Sequence, residues 1–251
     1  MKTLTKTESI RQRILSGGER FWNHQDLSDY PSATIAKTFT QLVKEGILQR
    51  ISKGHYYYHR PTRFGYSQPV RSELPYQLTQ TRVYPAGVNA ANLLGFTTQN
   101  AITSGSQGND GTFATTANSL PTAWLGQRAK LFTRRPITWE NLSATEAALL
   151  DFLRSRGEWS DLSPTDTNEQ LLNHFRVPGR FVAGASLKEN RLVEIAHAEP
   201  PRVRAMLGAI GQELKYAKDL LQQLRTGLNP YSRFEFGKLS TLWYAQEWQA
   251  K

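Results

Sequence analysis

Six residues between Ala33 and Lys44 carry side chains suited to meeting an anionic polymer. With Ile35 set at zero and about 100° allowed per residue, Ala33, Thr34, Lys37, Thr40, Gln41 and Lys44 fall on one side of a helix. A lysine there meets a phosphate or a guanine edge, a glutamine pairs with adenine, and a threonine reaches a phosphate or a thymine methyl. Lys53 and His55, at a glycine turn further along, extend the set. Lys53 at such a tip is costly to bury, and phosphate is its natural partner.

The elements that would hold these residues are legible around them. Ile35, Phe39, Leu42 and Val43 form the apolar stripe opposite the polar side. Ser32, after Pro31, reads as the N-cap, and Gly46 is placed to close the helix in a left-handed conformation. "ILQRIS" then alternates like a strand, Lys53-Gly54 turns the chain, and "HYYYH" returns. Ile47 and Ile51 share strand parity, so alternate tyrosines are expected opposite them. Upstream, Thr7 to Ser16 reads as a helix stopped by Gly17-Gly18, and "RFWNHQDLSDY" as a short segment plus a brief helix around Gln25–Leu27. Phe21, Trp22 and Leu27 are expected in the core. Helix, glycine, strand, basic turn, strand is the order of a winged helix-turn-helix.

Composition narrows the classes. At 39% hydrophobic and 21% charged residues, the 251-residue chain is globular rather than disordered. Its net charge of +10 favours an anionic partner. Residues 1–70 hold 11 Lys and Arg against 5 Asp and Glu, a net +6; the rest of the chain contributes +4. The excess therefore concentrates where the winged pattern lies, as phosphate binding requires. No apolar run approaches the ~20 residues of a membrane span, and "MKTLTKTESIRQRIL" has no signal-peptide core. The absence of Cys excludes disulfides, thiolate zinc sites and cysteine catalysis, and fits a cytoplasmic setting.

Other chemistry finds little support. His24, His55, His59, His174 and His197 show no metal-ligand spacing. Glu140, Asp151, Asp161 and Asp166 are scattered, and neither Ser104 nor Ser106 has an attached base. "SGSQGNDG" lacks the Lys-Ser/Thr of a phosphate loop. The expectation is a binding protein rather than an enzyme, with no catalytic residue, metal or cofactor.

The fold class expected is α+β: a winged helix-turn-helix over residues 1–60, a linker over 61–72, and a mixed, largely helical α+β domain over 73–251. The first sixty residues are expected to bind DNA alone. "RPTRFGYSQP" breaks at Pro61, Gly65 and Pro69, leaving Arg60 and Arg63 either on a phosphate backbone or in solvent. Beyond it, Ser72–Thr81 reads as a helix, and "VYPAGVNAANLLGFTTQ" as a turn and a short helix stopped by Gly95. Thr103–Ser119 reads as a Gly-rich hairpin, and "TAWLG" and "AKLFTRR" as strands joined at Gly126. Ser143-Ala-Thr-Glu146 opens a helix to Gly157 as a capping box. "DTNEQLLNHF" and "GRFVAGASL" read as short helices, Pro200–Leu228 as a helix broken near Gly208–Gly211, and "KLSTLWYAQEWQAK" as a closing helix.

Three segments resemble the AbiEi-like antitoxin family of type IV toxin–antitoxin systems. "LVKEGILQRISKGHYYY" is similar to its wing, "VYPAGVNAANLLGFTTQ" to its Pro-x-Gly…Ala-x-x-x-Leu-Gly box, and "EPPRVRAMLGAIG" with "LNPYSRFEFG" to its C-terminal signature. The resemblance implies a cytoplasmic bacterial antitoxin active in phage defence. Its N-terminal domain would bind double-stranded DNA at inverted repeats of its own promoter as a repressor. Its C-terminal domain would oppose a nucleotidyltransferase-like toxin, with no membrane involved. A ligand-responsive winged-helix regulator is the alternative, and an enclosed apolar pocket in residues 73–251 would favour it.

Overall fold

The computed structural model describes residues 4–63, 65–67, 70–99, 111–126, 128–177 and 186–251. These form two compact units, one drawn from residues 4–80 and 121–126, the other from residues 81–99, 111–120 and 128–251. The chain is an α+β fold, with an N-terminal unit resembling a winged helix-turn-helix followed by a largely helical region.

In the first unit, α1 (Lys6–Ser16) starts where the Thr5 hydroxyl accepts the Glu8 N–H at 3.3 Å, and ends at Gly17. A Cβ at Gly17 would lie 2.5 Å from the Trp22 ring, so only glycine lets the ring close over the helix end. β1 (Arg20–Asn23) leads through a 3-10 turn, Gln25–Leu27, to α2 (Ser32–Lys44). Ser32 is not the cap: Pro31 occupies that position and offers no side-chain bond, and the Pro31 carbonyl takes the Thr34 and Ile35 N–H groups. Gly46, at φ +71°, is the left-handed stop expected of it. β2 (Leu48–Ser52) and β3 (His55–Tyr58) follow.

The sheet order is β1-β3-β2, all antiparallel. β3, in the middle, is covered on both faces. Tyr56 and Tyr58 join Ile10, Ile14, Trp22, Leu27, Ile35, Phe39, Leu42 and Leu48 in the helical core. Tyr57 points the other way, to Phe21 and Leu74, with Ile51, Leu78 and Trp124 packed around them. Ile47 and Ile51 do not share a face as their parity suggested: Ile47 packs on the first cluster and Ile51 on the second. The ladder slips between Arg50 and Ser52, and a bulge there breaks the alternation.

The short hairpin of β4 (Pro61–Thr62) and β5 (Gly65–Tyr66) comes next, then α3 (Leu74–Thr79). The sequence pattern predicts a first domain ending at residue 60 and a linker over 61–72. The compact unit instead continues through α3, because Leu74 is fully buried against Phe21 and Tyr57. A fragment ending at residue 60 would leave that apolar face uncovered.

In the second unit, β6 (Tyr84–Pro85) pairs antiparallel with β7 (Thr112–Ala114), and β7 pairs parallel with β8 (Lys130–Phe132). α4 (Val88–Leu93), α5 (Ala144–Arg154), α6 (Pro164–Arg176), α7 (Ser186–Ala198), α8 (Pro201–Glu213) and α9 (Lys218–Arg225) complete it. The Ser143–Glu146 capping box forms as expected. Two buried carboxylates tie the unit together. Asp151 accepts the Gly87 N–H at 2.7 Å and Arg135 at 2.5 Å. Glu199 accepts the Trp139 indole N–H and Arg154 Nε, each at 2.7 Å.

Several expectations give way here. "TAWLG" is not a strand: Thr122–Trp124 is a 3-10 turn after Pro121, whereas "AKLFTRR" does hold β8. The long helix breaks over residues 214–217, past both glycines. Gly208 and Gly211 sit inside α8, where a Cβ would meet the Trp248 ring at 2.1 Å and the Tyr216 ring at 2.7 Å respectively. They are there for close packing rather than as breakers. The C-terminal segment is two 3-10 turns, Gly237–Thr241 and Gln246–Trp248, rather than a helix. α7 extends where the sequence pattern predicts no helix beyond Leu187. Most of "GRFVAGASL" and the "SGSQGND" part of the Gly-rich hairpin lie outside the described residues.

Asp151→Ala would leave a buried guanidinium and a buried N–H without their acceptor, and is expected to cost about 3–5 kcal/mol. Urea denaturation of the full chain measures this, and a loss below about 1 kcal/mol would show that water replaces the carboxylate.

Candidate nucleic-acid interface

α2 presents the predicted side outward. Ala33, Lys37, Thr40, Gln41 and Lys44 are exposed and Thr34 is half-buried, while Ile35, Thr38, Phe39 and Leu42 are buried. Two of the polar groups are already engaged. The Thr40 hydroxyl donates to the Ala36 carbonyl at 2.8 Å, so its oxygen can only accept from a partner and its methyl is free to pack. Gln41 Nε2 donates to Glu45 Oε1 at 3.0 Å. The other Glu45 oxygen takes Arg11 Nη1 at 2.5 Å. The Gln41 hydrogen bond, and after it Arg11, hold the Glu45 carboxyl below the usual carboxylate range. The second Nε2–H and the Oε1 of Gln41 remain for a base, with the Glu45 bond fixing how the amide is aimed.

The wing turns at Lys53-Gly54, with Gly54 at φ +81°, a conformation that favours glycine. Lys53 is exposed. His55 is half-buried: its Nδ1 shares a 3.0 Å hydrogen bond with Ser52 Oγ, and its ring stands edge-on to Trp124 with centroids 5.6 Å apart. Burial pushes the imidazole pKa down, against a smaller upward pull from a backbone bond at Lys53. At neutral pH the ring is therefore uncharged, and it props the turn rather than adding a cation to it.

Charge is sorted across the unit. Arg11 pairs with Glu45, Arg13 with Asp29 at 2.7 Å, and Arg20 with Asp26 at 3.4 Å. Arg20 also lies over the Trp22 ring, 3.8 Å from its centroid. Lys37, Lys44 and Lys53 enter no ion pair among the described residues. Arg11, Arg13 and Arg20 are thus paired, while Lys6, Arg50, Arg60 and Arg63, like the three lysines of α2 and the wing tip, enter no ion pair among the described residues. That is the distribution a phosphate backbone would meet.

Three contributors to this surface were not read from the sequence. The sequence predicts only a short segment at β1, yet Phe21 and Trp22 point to opposite faces as strand neighbours do. Glu45 was passed over, and only its i, i+4 spacing from Gln41 hints at its role. Trp124 gave no signal, being far from the wing in sequence. Among the described residues, no three His, Asp or Glu side chains gather as metal ligands, and no helix is long and apolar enough to cross a membrane.

The chain aligns over 94% of its length with the crystal structure of the RV2827C protein from Mycobacterium tuberculosis, covering 88% of that chain. The TM-score is 0.51 and the sequence identity 15%. At that identity the likeness speaks for the fold alone. No protein-family model and no curated protein matches the chain.

Glu45→Gln removes a negative charge beside α2 and loosens its hold on Gln41. Duplex DNA is expected to bind this variant about twofold or more tightly at low salt, with little change in thermal stability. Unchanged or weaker binding would mean that the C-terminal end of α2 faces away from the nucleic acid. His55 should titrate below its ordinary value in an NMR pH series. The unfolded chain takes up this proton at higher pH than the folded one, so stability is lost as pH falls through the unfolded value of about 6.5.

Proposed function

We propose that this protein binds double-stranded DNA at inverted repeats in its own promoter, represses it, and serves as the antitoxin of a type IV-like toxin–antitoxin pair. The observation that carries the DNA-binding part is the placement of Lys37, Lys44 and Lys53, unpaired among the described residues, on α2 and the wing tip. On this reading α2 enters the major groove, where Lys37 and Gln41 face base edges with Thr34 beside them. Lys44 and Lys53 hold the phosphates on either side.

The antitoxin part rests on the resemblance of three segments, and the residues they contain have structural work in this fold. Gly87 of the "VYPAGVNAANLLG" box donates its N–H to Asp151, and Glu199 of the "EPPRVRAMLGAIG" segment holds Trp139 and Arg154. The partner is proposed to be a nucleotidyltransferase-like toxin, countered in a cytoplasmic bacterial setting. A ligand-responsive regulator would ask for an enclosed apolar cavity in the second unit. One open cleft of that unit among the described residues, of 360 Å³ beside Phe175, has Arg176, Glu213 and Lys215 in its wall and is not such a cavity.

Anisotropy titrations on promoter DNA across a salt series test the DNA-binding claim. Lys44→Ala and Lys53→Ala should each lower the slope of log affinity against log salt by about 0.9 without changing base preference. Gln41→Ala should cost about 1–3 kcal/mol at one base position. Slopes and preferences that stay at the wild-type values would place the interface elsewhere. Co-expression with an adjacent nucleotidyltransferase-like gene tests the second claim: growth arrest that this chain fails to relieve would refute it.

A further inference from the structure

We infer that Trp124 is a positioning residue for the wing: it sets where Lys53 meets DNA without touching DNA itself. The inference rests on the DNA-binding reading above and extends it to a residue far outside the winged motif.

The geometry is local to the first unit. Pro121 and the 3-10 turn Thr122–Trp124 form a tight knot, with the Trp124 N–H on the Pro121 carbonyl at 3.0 Å and the Leu125 and Gly126 N–H groups on the Thr122 carbonyl at 2.9 and 3.1 Å. Leu125 is buried and anchors the knot. From it, the half-buried Trp124 ring reaches two residues that bracket the wing tip. It stands edge-on to His55 on one side, and packs in the cluster containing Ile51 on the other. Between Ile51 and His55 lie only Ser52, Lys53 and Gly54.

The ladder holds that stretch unevenly. His55 pairs with Asn23 on one side and Ser52 on the other, but the β2–β3 register slips between Arg50 and Ser52, so Ile51 has no paired partner there. The β2 side of the tip, beyond the bulge, is the less constrained side. Its attitude is set by what packs against it: the Ser52–His55 hydrogen bond and the Trp124 ring. Aromatic edge-to-face contacts depend strongly on orientation, so the indole holds the turn in one attitude where an aliphatic side chain would permit several. Neutral His55, bonded to Ser52, passes that constraint to the residues flanking Lys53.

A double-mutant cycle on the full chain separates this role from mere stability. Wild type, Trp124→Ala, Lys53→Ala and the double variant are titrated with promoter DNA from low to physiological salt. Trp124→Ala should lower the salt slope by about one, as Lys53→Ala does, and adding Lys53→Ala to it should change nothing further. Trp124→Phe should restore the slope. Trp124→Leu guards against loss of folding, since it keeps apolar bulk against Ile51 and Leu78 but offers no ring to His55. It should lose the same contact while circular dichroism stays that of wild type. Strictly additive effects, or a Trp124→Leu slope equal to wild type, would overturn the inference while leaving the DNA-binding reading intact. A wild-type chain with no DNA affinity would remove both.

Discussion

The burial of β3 on both faces is the constraint from which the first unit follows. A strand with tyrosines at three successive positions must place them alternately up and down. Tyr56 and Tyr58 close the helical core under α2, and Tyr57 enters a second cluster with Phe21 and Leu74. The Tyr57 hydroxyl donates to Glu19 at 2.5 Å, and burial, with that carboxylate beside it, raises the phenol to about 12. The phenol thus stays protonated and bonded over the working range of pH. Because both faces are covered, the wing cannot slide by one residue without exposing an apolar set. The orientation of the strand that carries the wing is a consequence of core packing, and so is the face that α2 turns outward.

Electrostatics follows from the same frame. Arg11, Arg13 and Arg20 belong to the elements that support α2 and the wing, and each has a carboxylate within reach. These are surface pairs and contribute little to stability, but they offset the charge of three of the unit's arginines. Lys37, Lys44 and Lys53 keep theirs. A flexible lysine with no local partner can exchange water and counterions for phosphate at small cost. Glu45 works against this surface, since it holds Gln41 and sits one turn beyond it.

Much of this was legible in the sequence. The Ile35/Phe39/Leu42 stripe, the Gly46 stop, the Gly54 turn and the Ser143–Glu146 cap all follow from local rules, and each forms as read. What escaped the reading depends on distant partners. "RFWN" becomes a strand because β3 is there to pair with it. Gly208 and Gly211 stay helical because the rings of Trp248 and Tyr216 need the space a Cβ would fill. "TAWLG" has strand-like composition, yet its hydrogen bonds close on Pro121 and Thr122. "KLSTLWYAQEWQAK" has helix-like spacing, yet Phe234 and Ala250 bridge instead. Of the candidate site, the helix face and Lys53 were readable from periodicity and turn chemistry. The restraint on Gln41 and the buried side of His55 were not, since both arise from side chains that meet only after folding.

The central claim is that α2 and the wing tip together are the surface that meets DNA. Amide hydrogen exchange, read by mass spectrometry on the full chain with and without a promoter duplex, addresses it most directly. Slower exchange is expected in peptides covering residues 33–44 and 52–55, with the helices of the second unit unchanged. Protection confined to the second unit, with residues 33–44 exchanging as in the free protein, would contradict the account.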